Sequence, residues 1–361
     1  MSEPTLAYVI GTRPNFVKMA PLIAAMRARF PALRHSLIHT GQHYDELMSG
    51  IFLDELGVPP PDHMLGVGSG SHGAQCAAVI RAIDPILAAE QPRLIFVPGD
   101  VNSTLAAALA ARQRGVAIVH IESGLRSFDR SMPEEINRIV VDRLSEVLVV
   151  HSDEAIDNLR AEGVAEGRIL FAGNTMIDTL RALEQRFRSR RTHASLGLDA
   201  GRYLLVTLHR PALVDGPLLA AAVEALASVA ERIPVLFPAH PRTRKAIESL
   251  GGAGRLRLTE PVGYLDFLSL QSDAAAVLTD SGGIQEESSC LGVPCFTLRD
   301  NTERPVTVRL GSNTLLGLDP RRIEQIPQLI ETTPRRAAEI PGWDGRAAPR
   351  IVEAIAARCG L

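Results

Sequence analysis

Aromatic side chains are scarce, at 4% of 361 residues, which excludes the large stacking platforms that grip single-stranded nucleic acid. A strong excess of one sign of charge is missing too: the net charge is −3, with 38 Lys and Arg spread along the chain. There is no basic footprint for a phosphate backbone, so no nucleic-acid partner is expected and any anionic ligand must be held by a local constellation. No apolar run nears the roughly 20 residues that span a bilayer. The start, Met1-Ser2-Glu3-Pro4, has neither the basic residues nor the apolar stretch of a signal peptide. Cys76, Cys290, Cys295 and Cys359 show no CxxC spacing and sit among apolar residues, as expected of reduced core thiols in a cytoplasmic protein. No HExxH motif or Cys/His grouping occurs, so no metal site is expected.

What is present is the composition of a globular protein, 46% hydrophobic and 22% charged, on a chain long enough for two cores. Short runs rich in Val, Ile and Leu alternate with longer Ala-rich segments of helical period. Strands are predicted at 6–10, 34–40, 93–98, 117–122 and 146–151, then at 169–172, 203–208, 235–238, 256–258, 275–279 and 294–298. The runs are apolar throughout, which suits strands covered on both faces, as in parallel sheets. Helices such as 102–114, 217–232 and 283–291 lie between them, and the charged stretch 181–202 reads as the first helix and linker of the second half. The pattern is β-α-β winding carried out twice.

In open parallel sheets ligands bind beyond the carboxyl ends of the strands, and chemistry-bearing residues cluster there. Gly11-Thr12-Arg13-Pro14-Asn15 follows the first strand; Arg13, with Lys18 further along the same helix, is an anion-binding candidate. Pro98-Gly99-Asp100 ends the third predicted strand and His120-Ile121-Glu122 the fourth, and Pro133-Glu134-Glu135 opens the helix that carries Arg138. Asp100 and Glu134 have ordinary explanations as a helix cap and as helix-dipole chemistry, but three acids on one side of one sheet can converge and divide acid from base. His209-Arg210 and His240-Pro241-Arg242 end two strands of the second half, two histidines each near an Arg. Thr279-Asp280-Ser281-Gly282-Gly283-Ile284-Gln285-Glu286-Glu287 is the sharpest motif. Its glycines let a diphosphate approach backbone N–H groups at a helix start, and Glu287, one turn in, is placed for a ribose hydroxyl pair. Arg304 follows the next strand. Gly68-Ser69-Gly70-Ser71-His72-Gly73 fits the dinucleotide fingerprint literally, yet no convincing strand precedes it and no strand-ending acid follows about 20 residues on. It is expected to be a flexible loop before a helix from Ala74.

Taken together, these motifs, with Gly41-Gln42-His43, Gly173-Asn174-Thr175 and Thr302-Glu303-Arg304-Pro305, resemble the non-hydrolysing UDP-N-acetylglucosamine 2-epimerases over nearly the whole chain. The resemblance implies an α/β fold of two Rossmann-like domains with parallel sheets facing across a cleft, the GT-B type. The expected bounds are 1–172, completed by a C-terminal helix at 349–361, and 173–348. It implies that Asp100, Glu122 and Glu134 manage protons at C2 of the sugar and that His209 lies near the diphosphate. Ser281, Gly282, Gly283 and Glu287 match the UDP-binding turn and ribose contact, and Arg13 and Arg304 match cations around the phosphates. Lys18, Arg138 and His240 join that polar set, and Gln42 and His43 match a second, regulatory UDP-sugar site. The sequence departs from the family at Pro211-Ala212-Leu213 and at Tyr44-Asp45-Glu46. No cofactor is implied, and a homodimer is.

The implied reaction removes the C2 proton as UDP leaves C1, then returns both with protonation from the other face. A 2-epimerase of a related UDP-N-acetyl sugar such as a diacetamido uronate, a hydrolysing epimerase, a GT-B glycosyltransferase and a catalytically silent nucleotide-sugar sensor are the alternatives. A glycosyltransferase needs an acceptor site and one base, which leaves the three acids unexplained.

Overall fold

Thirteen strands, all parallel to their neighbours, are found in the computed structural model, which describes residues 5–41, 52–210, 213, 216, 218–250 and 254–360. Two compact units divide the chain, one of Met1–Arg181 with Pro341–Leu361 and the other of Ala182–Ile340.

The first unit holds β1 (Thr5–Ile10), β2 (Arg34–His39), β3 (His63–Met64), β4 (Leu94–Pro98), β5 (Ala117–Ile121), β6 (Val147–Val150) and β7 (Ile169–Phe171). Their spatial order is β3-β2-β1-β4-β5-β6-β7. β1 and β4 are buried along their whole length, which is why their sequences show no polar alternation. One face carries Ala7, Val9, Ile95 and Val97 against Ile83 and Leu87 of the helix His72–Glu90 and the alanines of the helix Asn102–Gln113. The helix Ala347–Cys359 belongs to this unit, where its first N–H groups, those of Ala347 and Ala348, donate to the Asp178 carboxylate at 3.0 and 2.7 Å.

The second unit repeats the plan with β8 (Leu204–Thr207), β9 (Val235–Pro238), β10 (Arg257–Thr259), β11 (Ala276–Thr279), β12 (Cys295–Thr297) and β13 (Asn313–Leu315), in the order β10-β9-β8-β11-β12-β13. Successive residues serve opposite layers: Leu204 and Val206 join the cluster with the helix Leu218–Val229, and Tyr203 and Leu205 the one with Leu270.

Each sheet is built outward from its first strand and then resumed on that strand's other side. The reversal falls between β1 and β4 in one unit and between β8 and β11 in the other, and the crevice beyond such a reversal is where open α/β sheets take ligands.

Several expectations are corrected. β3 and β13 were not foreseen: the one is two residues long and the other, Asn313-Thr314-Leu315, is largely polar, as edge strands can be. A strand, β3, does therefore precede the Gly68–Gly73 segment, and the following helix starts at His72, with the Ser71 hydroxyl accepting from Ala74 N–H. The charged stretch from Arg181 forms two short helices, Glu184–Arg190 and Thr192–Ser195. All four cysteines are free thiols, but only Cys290 and Cys295 are buried core residues. Among the described residues no helix is long and apolar enough to cross a membrane.

Candidate functional site

The carboxyl end of β1 turns at Gly11-Thr12 into the helix Arg13–Arg29. Asn15 holds that turn: its side-chain oxygen accepts from the N–H groups of Gly11 and Thr12, both at 3.1 Å, and its amide donates to Pro98 O at the end of β4. Gly99 follows with φ +65, a left-handed conformation that glycine adopts without penalty. A Cβ there would also lie 3.1 Å from Lys18 Nζ. Asp100 is next, and its carboxylate takes a two-pronged bond from Arg138, Nε at 3.0 Å and Nη2 at 2.6 Å. Arg138 also reaches Glu135 Oε2 at 2.8 Å, and Glu135 accepts from Ser127 and Phe128 N–H.

On the adjacent strand end, Glu122 is buried with Lys18, whose Nζ lies 2.8 Å from both carboxylate oxygens. Glu122 has φ +67; a non-glycine residue held there is strained by about 1–3 kcal/mol, and such strain gathers at functional sites. Glu134 is half-buried in the first turn of the helix Pro133–Leu144. The three acids thus lie at the strand ends next to the β1/β4 reversal, or open the helix that follows β5. Arg13 is exposed at the first turn of its own helix.

In the second unit Asp280 ends β11 and ties it to the end of β8. Its Oδ2 accepts from the N–H groups of His209 at 2.8 Å and Arg210 at 2.7 Å, and its Oδ1 lies 2.8 Å from His209 Nδ1. Burial opposes ionisation of Asp280, but the His209 contact and these N–H bonds outweigh it and hold the carboxyl below its ordinary range. The His209 ring is otherwise 57% exposed, which leaves it open to a ligand. Ser281 precedes the helix Gly282–Leu291. Arg304 lies over the start of that helix, its Nε 2.8 Å from Glu286 Oε1. His240 is exposed at the end of β9.

Glu287, one turn into the helix, accepts a 2.7 Å bond from Tyr264. Burial raises its carboxyl from 4.5 to about 7, a hydrogen bond from Tyr264 opposing and the charge of Glu286 adding. Between those values the folded chain keeps a proton that the unfolded chain releases, so stability falls as pH rises from about 4.5 to about 7, by on the order of 3 kcal/mol. Ligand-free Glu287→Gln should therefore melt higher than wild type at pH 8 and nearly the same at pH 5. Scanning calorimetry at the two pH values measures this, and equal differences at both would show that Glu287 ionises freely.

The cations Lys18, Arg138 and Arg304, expected as anion ligands, are each engaged with a carboxylate. Gln42 and His43 lie outside the described residues. Sequence reasoning assigns no role to Asn15, whose amide reaches Pro98 O 83 residues away, or to Tyr264, which meets Glu287 23 residues on. Nor does it give a role to the buried pair His120 and Asp142.

The fold defines an α/β protein of two Rossmann-type sheets, one that presents acids at its strand ends and a second that presents a glycine-rich helix start. A family model of UDP-N-acetylglucosamine 2-epimerase matches residues 25–356, and the chain belongs to that family. It is 41% identical over 330 residues to a UDP-N-acetylglucosamine 2-epimerase of Methanococcus maripaludis, covering 88% of this chain and 89% of that one. It is 40% identical over 354 residues to UDP-2,3-diacetamido-2,3-dideoxy-D-glucuronate 2-epimerase of Pseudomonas aeruginosa, covering 96% and 98%. Among solved structures, Methanocaldococcus jannaschii UDP-GlcNAc 2-epimerase in complex with UDP-GlcNAc and UDP superposes with a TM-score of 0.90 at 38% identity, over 98% of this chain and 99% of that chain.

Proposed function

We propose that this chain is an isomerase that interconverts UDP-N-acetylglucosamine and UDP-N-acetylmannosamine through elimination and re-addition of UDP. The observation that carries the reading is the pair of carboxylates, Asp100 and Glu122, at adjacent strand ends beside the β1/β4 reversal, each held by a buried cation. The C2 hydrogen of the sugar has no carbonyl to acidify it, so it departs only as the C1–O bond breaks. The electron pair of C2–H becomes the C1=C2 bond, and the pair of C1–O leaves with UDP. Re-addition of UDP to C1, with a proton delivered to the opposite face of C2, gives the epimer. Asp100, Glu122 and Glu134 supply the base and the acid. Ser281, Gly282 and Gly283 at the helix start, with Arg304 and His209, stabilise the diphosphate as it leaves, and Glu287 holds the ribose. Nothing in this sequence of steps needs a redox cofactor.

Run in D2O, the reaction should place deuterium at C2 of the product and of recovered substrate, read by NMR or mass spectrometry. Complete retention of the original hydrogen would exclude elimination. A second substrate, UDP-2,3-diacetamido-2,3-dideoxyglucuronate, is favoured by the 40% identity to its epimerase, and a side-by-side assay separates the two. The reading further takes the chain to be a cytoplasmic homodimer; its four free thiols suit a reducing compartment, and the dimer rests on family resemblance. Light scattering measures the assembly.

A further inference from the structure

His120 and Asp142 are both wholly buried in the first unit and take no part in the chemistry above. His120 sits on β5 two residues before Glu122. Its Nε2 donates to the Gly99 carbonyl at 2.7 Å, one residue before Asp100, and its Nδ1 lies 2.7 Å from Asp142 Oδ1. The other Asp142 oxygen accepts from Gly124 N–H at 3.1 Å, two residues after Glu122, and lies 2.7 Å from Arg126 Nη2. Arg126 is held in turn by Glu162 at 2.7 and 2.9 Å and by its neighbour's carbonyl. One pair of side chains therefore touches backbone immediately before Asp100 and on the far side of Glu122.

Those two turns need an external hold. Gly99, Glu122 and Gly124 all have positive φ, at +65, +67 and +77, so the Glu122 turn is not one its own backbone prefers. Buried ion pairs stabilise a fold no better than apolar residues of the same shape, and removing one partner is strongly unfavourable. Asp142 nevertheless stays ionised: burial opposes its charge, and the His120 bond with the charges of His120 and Arg126 holds its carboxyl below the usual range.

We propose that the buried His120–Asp142 pair, by clamping the Gly99 carbonyl and the Gly124 N–H together, sets the spacing of the Asp100 and Glu122 carboxylates, so that His120 is a positioning residue for the two proton transfers. The inference rests on the reading of Asp100 and Glu122 as the proton-transfer groups. A misplacement near 1 Å is enough to lower turnover by about 10²-fold. It also separates the two transfers in time, so the unsaturated sugar and UDP escape before re-addition.

The test compares wild type, H120N and H120Q by steady-state kinetics with UDP-N-acetylglucosamine, product analysis, and calorimetric titration with UDP. Asparagine places its amide nitrogen where Nδ1 stood and loses the Gly99 bond; glutamine places it where Nε2 stood and keeps that bond. H120N, which loses the Gly99 end of the clamp, and H120Q, which loses the Asp142 end, should each lose about 10²-fold in kcat, both with UDP affinity unchanged and with free UDP and unsaturated sugar among the products. Melting curves confirm folding, and H120Q carries the test if H120N does not fold. Folded variants with wild-type kcat and only a lowered melting temperature would overturn the proposal and leave the epimerase reading intact. Wild type that does not exchange the C2 hydrogen with solvent would overturn both.

Discussion

Asp100→Asn, Glu122→Gln and Glu134→Gln are each expected to lower turnover by at least about 10²-fold, the scale of a positioned acid or base, with UDP affinity retained. The three substitutions differ in what they do to the fold, which separates chemistry from damage. Asp100→Asn leaves Arg138 its second partner, Glu135 at 2.8 Å, so melting should change little. Glu122→Gln strands the buried Lys18, which has its ammonium 2.8 Å from the carboxylate, and an unpartnered buried charge costs about 3–5 kcal/mol. That variant should melt lower, and the double variant Lys18→Met/Glu122→Gln should regain stability without regaining turnover. Glu134 is half-buried, and its loss should cost turnover alone. UDP binding is expected to survive in all of them because the glycine-rich helix start belongs to the other unit. Any one of these proteins with near-normal kcat would remove that residue from the proton-transfer set.

The second large effect is expected at Gly282. A Cβ there would lie 2.3 Å from Arg304 Nη1 and 2.7 Å from its Cζ, so Gly282→Ala must push the guanidinium aside. Gly282→Val adds two methyl groups where the helix-start N–H groups would meet phosphate oxygens. Loss of one charge-assisted hydrogen bond, worth about 1.5–3 kcal/mol, weakens UDP by about 10- to 10²-fold. Calorimetry with UDP alone reads the change. Arg304→Ala should weaken UDP comparably, and adding Gly282→Ala to it should weaken UDP little further, since the cation is already lost. Undiminished affinity in Gly282→Val would mean that the motif only begins a helix.

How much of this was legible beforehand depended on distance along the chain. Runs such as Thr5–Ile10 and Leu94–Pro98 announced buried parallel strands because both faces of each are covered, and a residue's burial on two faces leaves its mark in its own identity. The placement of Asp100, Glu122, His209 and Ser281 just after strands was legible by the same local logic, and in such sheets strand ends are where ligands bind. The edge strands β3 and β13 were invisible, since a strand covered on few sides needs no apolar run.

Partners were the other blind spot. Lys18, in the second turn of its helix, carries no mark in the sequence of which acid it meets; only the folded chain puts it against Glu122, 104 residues away. Arg138 likewise meets Asp100 across 38 residues and Tyr264 meets Glu287 across 23. His120 and Asp142 carried no signal at all, for a histidine inside an apolar strand looks like a core residue until its acceptors are known. By itself, then, the sequence determined the two-fold β-α-β winding and the residues presented at the strand ends, because backbone propensity and burial act residue by residue. The tertiary structure decided which strand ends are neighbours and which charges neutralise one another, because Coulomb and hydrogen-bond energies depend on separation in space, and strand order sets that separation.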